Sequence, residues 1–140
     1  MNKRIILTLM SVLLVGSLVA ACGGAPAPVA FSSMPVFTDA TESTNAALND
    51  ILTTQIEKGR ASGQVKSIDG KMYDVPADTT WEAVTSFYKT ELEKTGWTAG
   101  QPLTPQLGQE VLPFSRGKQA FVVSYLTDFP ALFVVMTEEK

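Results

Sequence analysis

Few side chains in this 140-residue sequence can take part in covalent or acid–base chemistry. The chain contains no histidine and a single cysteine, Cys22, beside 14 acidic and 11 basic residues. These counts exclude a histidine general base, a Ser-His-Asp or Cys-His pair, a His/Cys zinc site and an intrachain disulfide. The chemistry that remains belongs to the carboxylates, which can act in pairs, and to one thiol.

The carboxylates in suggestive positions also have ordinary structural roles. Asp69 belongs to an Asp-Gly pair typical of turns, Asp78 precedes a predicted helix, and Glu82 lies in its first turn, where negative charge is favourable. The sequence has no Asp-x-Asp-x-Asp-Gly calcium loop and no Gly-rich phosphate loop. We therefore expect no metal and no cofactor. A small carboxylate-based envelope hydrolase is only an alternative to a protein without catalytic activity.

The N-terminus has the pattern of an export signal. Lys3 and Arg4 precede the uncharged, Leu- and Val-rich run Ile5–Ala21, which ends in small residues. A basic region, an apolar run and a small-residue exit are typical of a secretory signal peptide, predicted here over residues 1–21. An uncleaved transmembrane helix and a signal peptide with an incidental cysteine are the alternatives.

The position of the cysteine favours a more specific interpretation. Val19-Ala20-Ala21-Cys22 resembles the lipobox of bacterial lipoproteins. The resemblance implies that Val19, Ala20 and Ala21 are read by a peptidase that cuts before Cys22, whose thiol carries a diacylglyceryl group; acylation of the new amino group stays open. Gly23, in place of Asp, implies the outer membrane in a diderm cell and the outer face of the cell membrane in a monoderm. The protein is thus expected outside the cytoplasm, bound to the membrane through its lipid.

Removal of the signal peptide makes the chain more acidic. Loss of Lys3 and Arg4 lowers the basic count from 11 to 9 against 14 acidic residues, a formal net charge of 9 − 14 = −5. An acidic chain without a basic block is a poor partner for nucleic acid or for an anionic membrane surface. We therefore predict no nucleic acid, anchoring by lipid alone, and another envelope protein as the partner.

The rest of the sequence divides into a tether and one domain. Residues 22–38 are predicted to be the lipidated cysteine and a flexible tether rich in Gly, Ala and Pro, in which Phe31, Met34, Val36 and Phe37 can already touch the core. Residues 39–140 are predicted to be a single α+β domain. Apolar periodicity predicts helices over residues 41–60, capped by Ser43 or Thr44, and over residues 79–95.

The remaining segments predict an antiparallel β meander. Asp69-Gly70 favours a hairpin turn before a short strand near 71–75. A loop is expected over 101–109, a strand over 111–115 with Pro113 marking an edge, a strand over 119–126, and a central strand over 131–136 that is covered on both sides. One or two amphipathic helices must cover the apolar face, so a two-layer α+β fold is predicted.

A second resemblance concerns this domain. Asp78-Thr79-Thr80-Trp81, Phe87-Tyr88, Leu92 and Gly96-Trp97 are similar to a pattern in small uncharacterised α+β domains of bacterial lipoproteins, over about residues 72–137. The resemblance implies a fold and no activity, so it transfers no catalytic residue.

Aromatic residues suggest a binding surface. Burial in the core is the favoured interpretation for most of the aromatics. Phe87 and Phe129 are the two that we most expect to be exposed, and an exposed patch suits a sugar polymer or a partner protein. The predicted function is a non-catalytic binding or scaffolding module of the cell envelope. Two alternatives stay open: a structural surface lipoprotein without a specific ligand, and the small carboxylate-based envelope hydrolase.

The lipobox yields a direct test. Cys22→Ser removes the thiol that accepts the diacylglyceryl group, so the variant should accumulate as an unprocessed, unacylated precursor. Intact-mass spectrometry of detergent-extracted protein measures both changes. Wild-type protein that lacks acyl mass, or begins at another residue, would contradict the lipoprotein interpretation.

Overall fold

A computed structural model describes residues 24–106 and 108–140. The predicted signal peptide, its recognition residues Val19, Ala20 and Ala21, and Cys22 lie outside these residues. The described residues have an α+β fold, as predicted.

The helices are α1 (Ala46–Ala61) and α2 (Trp81–Glu93), after a short 3-10 helix (Phe31–Ser33). The strands are β1 (Thr41–Glu42), β2 (Val65–Asp74), β3 (Thr98–Ala99), β4 (Leu103–Gln106), β5 (Gln109–Arg116), β6 (Gln119–Leu126) and β7 (Ala131–Glu139).

All strands join one antiparallel sheet. Its order is β1-β2-β7-β6-β5-β3, and β4 also pairs with β5. Strands β5, β6 and β7 form the expected meander, joined by turns at Gly117–Lys118 and at residues 127–130. β7 therefore lies in the middle of the sheet between β2 and β6, which confirms the prediction of a central strand.

The two helices cover opposite faces of the sheet. On one face α2 packs over Leu132 and Val134 of β7; on the other α1 packs over Ala131 and Phe133. Successive strand residues point to opposite faces, so an uninterrupted apolar strand needs a cover on both sides. The predicted two-layer arrangement is therefore wrong where β2 and β7 lie, because α1 adds a third layer there.

Both helices begin at a polar cap, later than predicted. The Asn45 side chain accepts a hydrogen bond from the Leu48 N–H (3.3 Å), and the Thr80 hydroxyl accepts one from the Ala83 N–H (3.2 Å). α1 begins at Ala46 because Thr41–Glu42 pair with β2 as a short strand. The end of α2 agrees with the prediction: Gly96 has a φ of 83° and the buried Trp97 donates its N–H to the Leu92 carbonyl (3.1 Å).

Asp69-Gly70 does not form the predicted turn. Both residues lie inside the continuous strand β2, opposite Met136 and Val135 of β7. A Cβ atom on Gly70 would lie 2.9 Å from the Val134 carbonyl oxygen and 3.0 Å from Leu52 Cδ1. The glycine therefore admits α1 close to the sheet, a requirement that local turn statistics do not contain.

Pro113 does not mark an outer edge of the sheet. The outer side of β5 is paired by β3 near Phe114 and by β4 near Val111, which leaves a gap at Pro113, where the Gly100 N–H donates to the Pro113 carbonyl (2.8 Å). The N–H and C=O of one strand residue point to the same side. An N–H at position 113 would thus point into the gap between β3 and β4, so β5 tolerates a proline there.

The helices are short. α1 has 16 residues and α2 has 13. Within residues 24–106 and 108–140, no helix has the length and apolar character needed to span a bilayer.

Tyr88 is the largest fully buried side chain of the core under α2. It is 0% exposed and packs 5.1 Å from the Phe87 ring and 6.0 Å from the Phe121 ring, measured between centroids. Its hydroxyl has no hydrogen-bond partner among the described residues; the Phe37 backbone faces it without meeting hydrogen-bond geometry. Burial raises the pKa of Tyr88 above its ordinary value of 10.0, chiefly through desolvation.

Tyr88→Phe tests this interpretation. Removing an unpartnered buried hydroxyl should leave the free energy of unfolding unchanged or raise it by at most about 1–3 kcal/mol, measured by denaturant titration. Tyr88→Ala, the control, should lower it by about 3–5 kcal/mol through the lost ring. Folding raises the pKa of Tyr88, so the part of the folding stability that depends on its proton is fully present below pH 10, the ordinary pKa of the group. This part is lost as the pH rises above 10. Tyr88→Phe should therefore flatten the alkaline decline in stability; a steep loss at neutral pH would contradict the orphaned hydroxyl.

Candidate functional site

Residues 26–37, which we call the strap, lie along the folded domain. The Gln119 side chain accepts a hydrogen bond from the Val29 N–H (2.9 Å) and donates one to the Val29 carbonyl (2.8 Å). Gln119 is 4% exposed, so these bonds are protected from water. Arg116 donates to the Ala27 carbonyl, and a Cβ on Gly117 would lie 3.3 Å from the Pro26 ring. The side-chain amide of Gln119 thus makes the two hydrogen bonds to Val29 that the backbone of a neighbouring strand would make.

Apolar contacts hold the other half of the strap. Phe31, Met34 and Phe37 pack against the core under α2, as the sequence suggested, whereas Val36, expected with them, is 47% exposed. The Phe37 ring meets Phe87 edge to face, with centroids 5.3 Å apart. Of the segment predicted as a tether, residues 26–37 are therefore packed on the domain in this structure.

The structure does not bring Phe87 and Phe129 into one patch. Phe87 is half-buried on α2 between the Phe37 and Tyr88 rings. Phe129 lies in the β6–β7 turn and is 57% exposed. This is more than the other exposed large apolar side chains of the described residues, Val36, Ile51 and Leu103. Of the two predicted surface aromatics, Phe129 alone offers most of its ring to solvent.

The antiparallel strands give the domain two distinct ends. The strap end contains the β5–β6 turn, the first residue of β2 and the last residue of β7, since Val65 pairs with Glu139 and Arg116 with Gln119. The far end contains the β6–β7 turn at residues 127–130 and the first turn of α2. The strap is thus bonded near one end of the sheet, and Phe129 lies at the other.

A second aromatic pair lies at the far end. The Trp81 and Tyr125 rings stack with centroids 6.4 Å apart and an interplanar angle of 12°. The Tyr125 hydroxyl donates to the Thr79 carbonyl (2.9 Å), which ties β6 to the start of α2. Both rings are half-buried. No local sequence pattern identifies this pair, because its members are distant in the chain and the register of β6 against α2 exists only in the fold.

Carboxylates surround these far-end aromatics. Residues 74–82, 108–112 and 125–131 contain no lysine or arginine. Glu110 pairs across the sheet with Tyr125, and Asp128 lies in the turn beside Phe129. The far end is therefore an apolar spot with an acidic border. Its carboxylates are Asp74, Asp78, Glu82, Glu110 and Asp128.

The cavities described in the structure lie elsewhere. One of about 250 Å³ lies between the strap and α2 and has Glu91 as its single carboxylate; the other two have only Asp69 and only Asp50. A glycosidase-type site needs two carboxyl groups that flank one bond. Among the described residues, no three His, Cys, Asp or Glu side chains cluster in a way that could hold a metal. These three cavities therefore lack the paired carboxyl groups of a glycosidase-type site.

The shifted pKa values also lie away from neutral pH. The hydrogen bond and charge of Glu42, whose carboxylate lies 2.7 Å from Lys71 Nζ, raise the pKa of Lys71. Burial raises the pKa of Tyr73, as it does for Tyr88. An upward shift takes each of these groups further from the range in which a general acid or base works best at pH 7.

Comparison with protein-family models, with curated protein sequences and with solved structures gave no match to this chain. A functional assignment therefore rests on the residues and their geometry.

The strap generates a prediction. Gln119→Ala removes both hydrogen bonds to Val29 and should lower the free energy of unfolding by about 1–3 kcal/mol, because two half-buried backbone groups lose their partner. Hydrogen–deuterium exchange should quicken in peptides covering residues 26–34. Gln101→Ala, at an exposed position, is the matched control and should change neither quantity. Unchanged exchange in the Gln119 variant would show that the apolar contacts alone hold the strap.

Proposed function

We propose that the protein is a lipid-anchored, extracytoplasmic binding or scaffolding module that captures another envelope protein through its far end. The anchor is argued from the lipobox-like sequence Val19-Ala20-Ala21-Cys22. The observation that carries the binding role is the exposed Phe129 ring with its acidic border, at the end of the sheet opposite the strap.

Phe129 supplies the apolar part of this surface. A phenylalanine ring fully covered by a partner contributes about 1.5–3 kcal/mol relative to exposure in water. Its position in a tight turn that ends at Pro130 limits the conformational entropy lost on binding. Aromatic residues of this kind are enriched at the centres of protein interfaces.

The carboxylates indicate the chemistry of the partner. Glu110 and Asp128 lie beside the aromatic surface, and the far-end segments supply no basic side chain to neutralise them. A partner protein with lysine or arginine around an apolar pocket complements both features, whereas nucleic acid would be repelled. A sugar polymer is favoured less, because the Trp81 and Tyr125 faces cover one another.

The enzyme alternative lacks a comparable observation. Each described cavity has a single carboxylate, and none is lined by the far-end residues. A structural surface protein without a ligand is separated from the proposal by experiment.

Site-specific photo-crosslinking in intact cells tests the proposal. A photoreactive phenylalanine analogue at position 129 should give one discrete adduct with an envelope protein. The same analogue at Ile51, which is 54% exposed on α1, is the control and should give none. Asp128→Lys and Glu110→Lys should each reduce the adduct at 129, because they reverse the charge that attracts a basic partner.

Three outcomes would contradict the proposal. Equal labelling from positions 129 and 51, or from neither, would indicate a surface without a specific ligand. Glycan-hydrolysing activity that is lost on carboxylate substitution would favour the enzyme. A free thiol at Cys22, or protein on the cytosolic side, would remove the anchor.

A further inference from the structure

We infer that the domain stands on the bilayer in one orientation, with its strap end against anionic phospholipid headgroups and its far end directed away. This inference rests on the proposed lipidation of Cys22. It adds a membrane-facing surface made by the folded domain itself, beyond the acyl anchor.

The strap leaves little free chain between lipid and domain. Pro26 already lies against Gly117, so only three residues, Gly23, Gly24 and Ala25, separate Cys22 from the docked segment. The four Cα-to-Cα steps from Cys22 to Pro26 span at most about 14 Å when fully extended. The eight residues of β6 alone extend about 26 Å towards the far end. The free chain is therefore too short to carry the anchor to the far end while the strap stays docked.

The charges at the strap end suit an anionic surface. Arg116 donates from Nε to the Thr95 carbonyl (3.1 Å) and from a second nitrogen to the Ala27 carbonyl. Both acceptors are neutral peptide groups, so these hydrogen bonds hold the guanidinium in place without neutralising it. Lys118, in the adjacent β5–β6 turn, donates to the main-chain oxygen of Lys140 (3.0 Å).

The acidic residues at the same end are partly compensated. Glu138 forms a salt bridge of 2.8 Å with Lys66, and Glu139 follows it at the end of β7, next to Lys140. Arg116 is thus a cation of this end whose hydrogen bonds go to neutral peptide carbonyls in place of carboxylates. Its charge is available to lipid phosphates.

The far end is repelled by the same surface. Its carboxylates have no lysine or arginine within their own segments, residues 74–82, 108–112 and 125–131. An anionic bilayer attracts cations and repels anions within roughly one Debye length, about 8–10 Å. Electrostatics and the short free chain therefore favour the same orientation, with Phe129 outermost.

Headgroup quenching measures the orientation. Full-length acylated protein with Gln64→Cys or Ala77→Cys is labelled with a fluorophore; both positions are exposed, uncharged and outside helices and strands, at the strap end and far end respectively. Each is reconstituted in vesicles of phosphatidylglycerol and phosphatidylethanolamine that contain a nitroxide-headgroup lipid. Quenching should be several-fold stronger at 64 than at 77.

Variants at the strap end test the charge argument. Lys118→Glu should lower the ratio of quenching at 64 to that at 77 in these vesicles, and should leave it unchanged in phosphatidylcholine vesicles. Lys89→Glu, at an exposed position of α2 outside the β5–β6 turn, makes the same charge change and is the matched control. An unaltered ratio for Lys118→Glu would overturn the headgroup contact.

The outcomes separate the two proposals. Acylated protein that binds vesicles with equal quenching at both labels, or stronger quenching at 77, overturns the orientation and leaves the anchor intact. Protein without acyl mass that stays in the aqueous phase overturns the anchor and, with it, the orientation. Intact-mass spectra recorded on the same samples distinguish these results.

Discussion

The fold depends on one constraint: β7 carries apolar side chains on both of its faces, and both sets must be buried. Leu132, Val134 and Met136 enter the core under α2, while Phe133 and Val135 meet the side of α1. A strand of this kind is stable only in the middle of a sheet. Its neighbours β2 and β6 supply the ladders on both sides, and the helices divide between the faces because one layer would leave half of β7 in water.

The strap connects this core to the outside of the molecule. Gln119 begins β6 and pairs with Glu138 across the sheet, while its side chain holds Val29. A residue at the end of a central strand therefore determines where the N-terminal segment leaves the domain. The exit point and the position of Phe129 are set by the same antiparallel strands, so the two features occupy opposite ends for a topological reason.

Local patterns predicted most elements and failed where distant residues decide. The bounds of β6, the turns that flank it and the Gly96 end of α2 follow from alternation and turn chemistry. Asp69-Gly70 has the composition of a hairpin turn, yet the glycine serves the approach of Leu52 from another element. The surface aromatic Phe129 could be predicted from its turn, whereas Phe87 could not be judged without knowing that Phe37 folds back over it.

Composition and short-range patterns establish the absence of imidazole chemistry, the single thiol in a lipobox-like position, the acidic net charge and the α+β class, because each depends on residue counts or on neighbours within a few positions. Which charges lie together depends on the fold. Arg116 and Lys118 meet Ala27 and Lys140 from distant parts of the chain. The sequence predicted no basic surface because it has no basic block; the fold makes one end less acidic than the other, since antiparallel pairing brings chain-distant residues side by side.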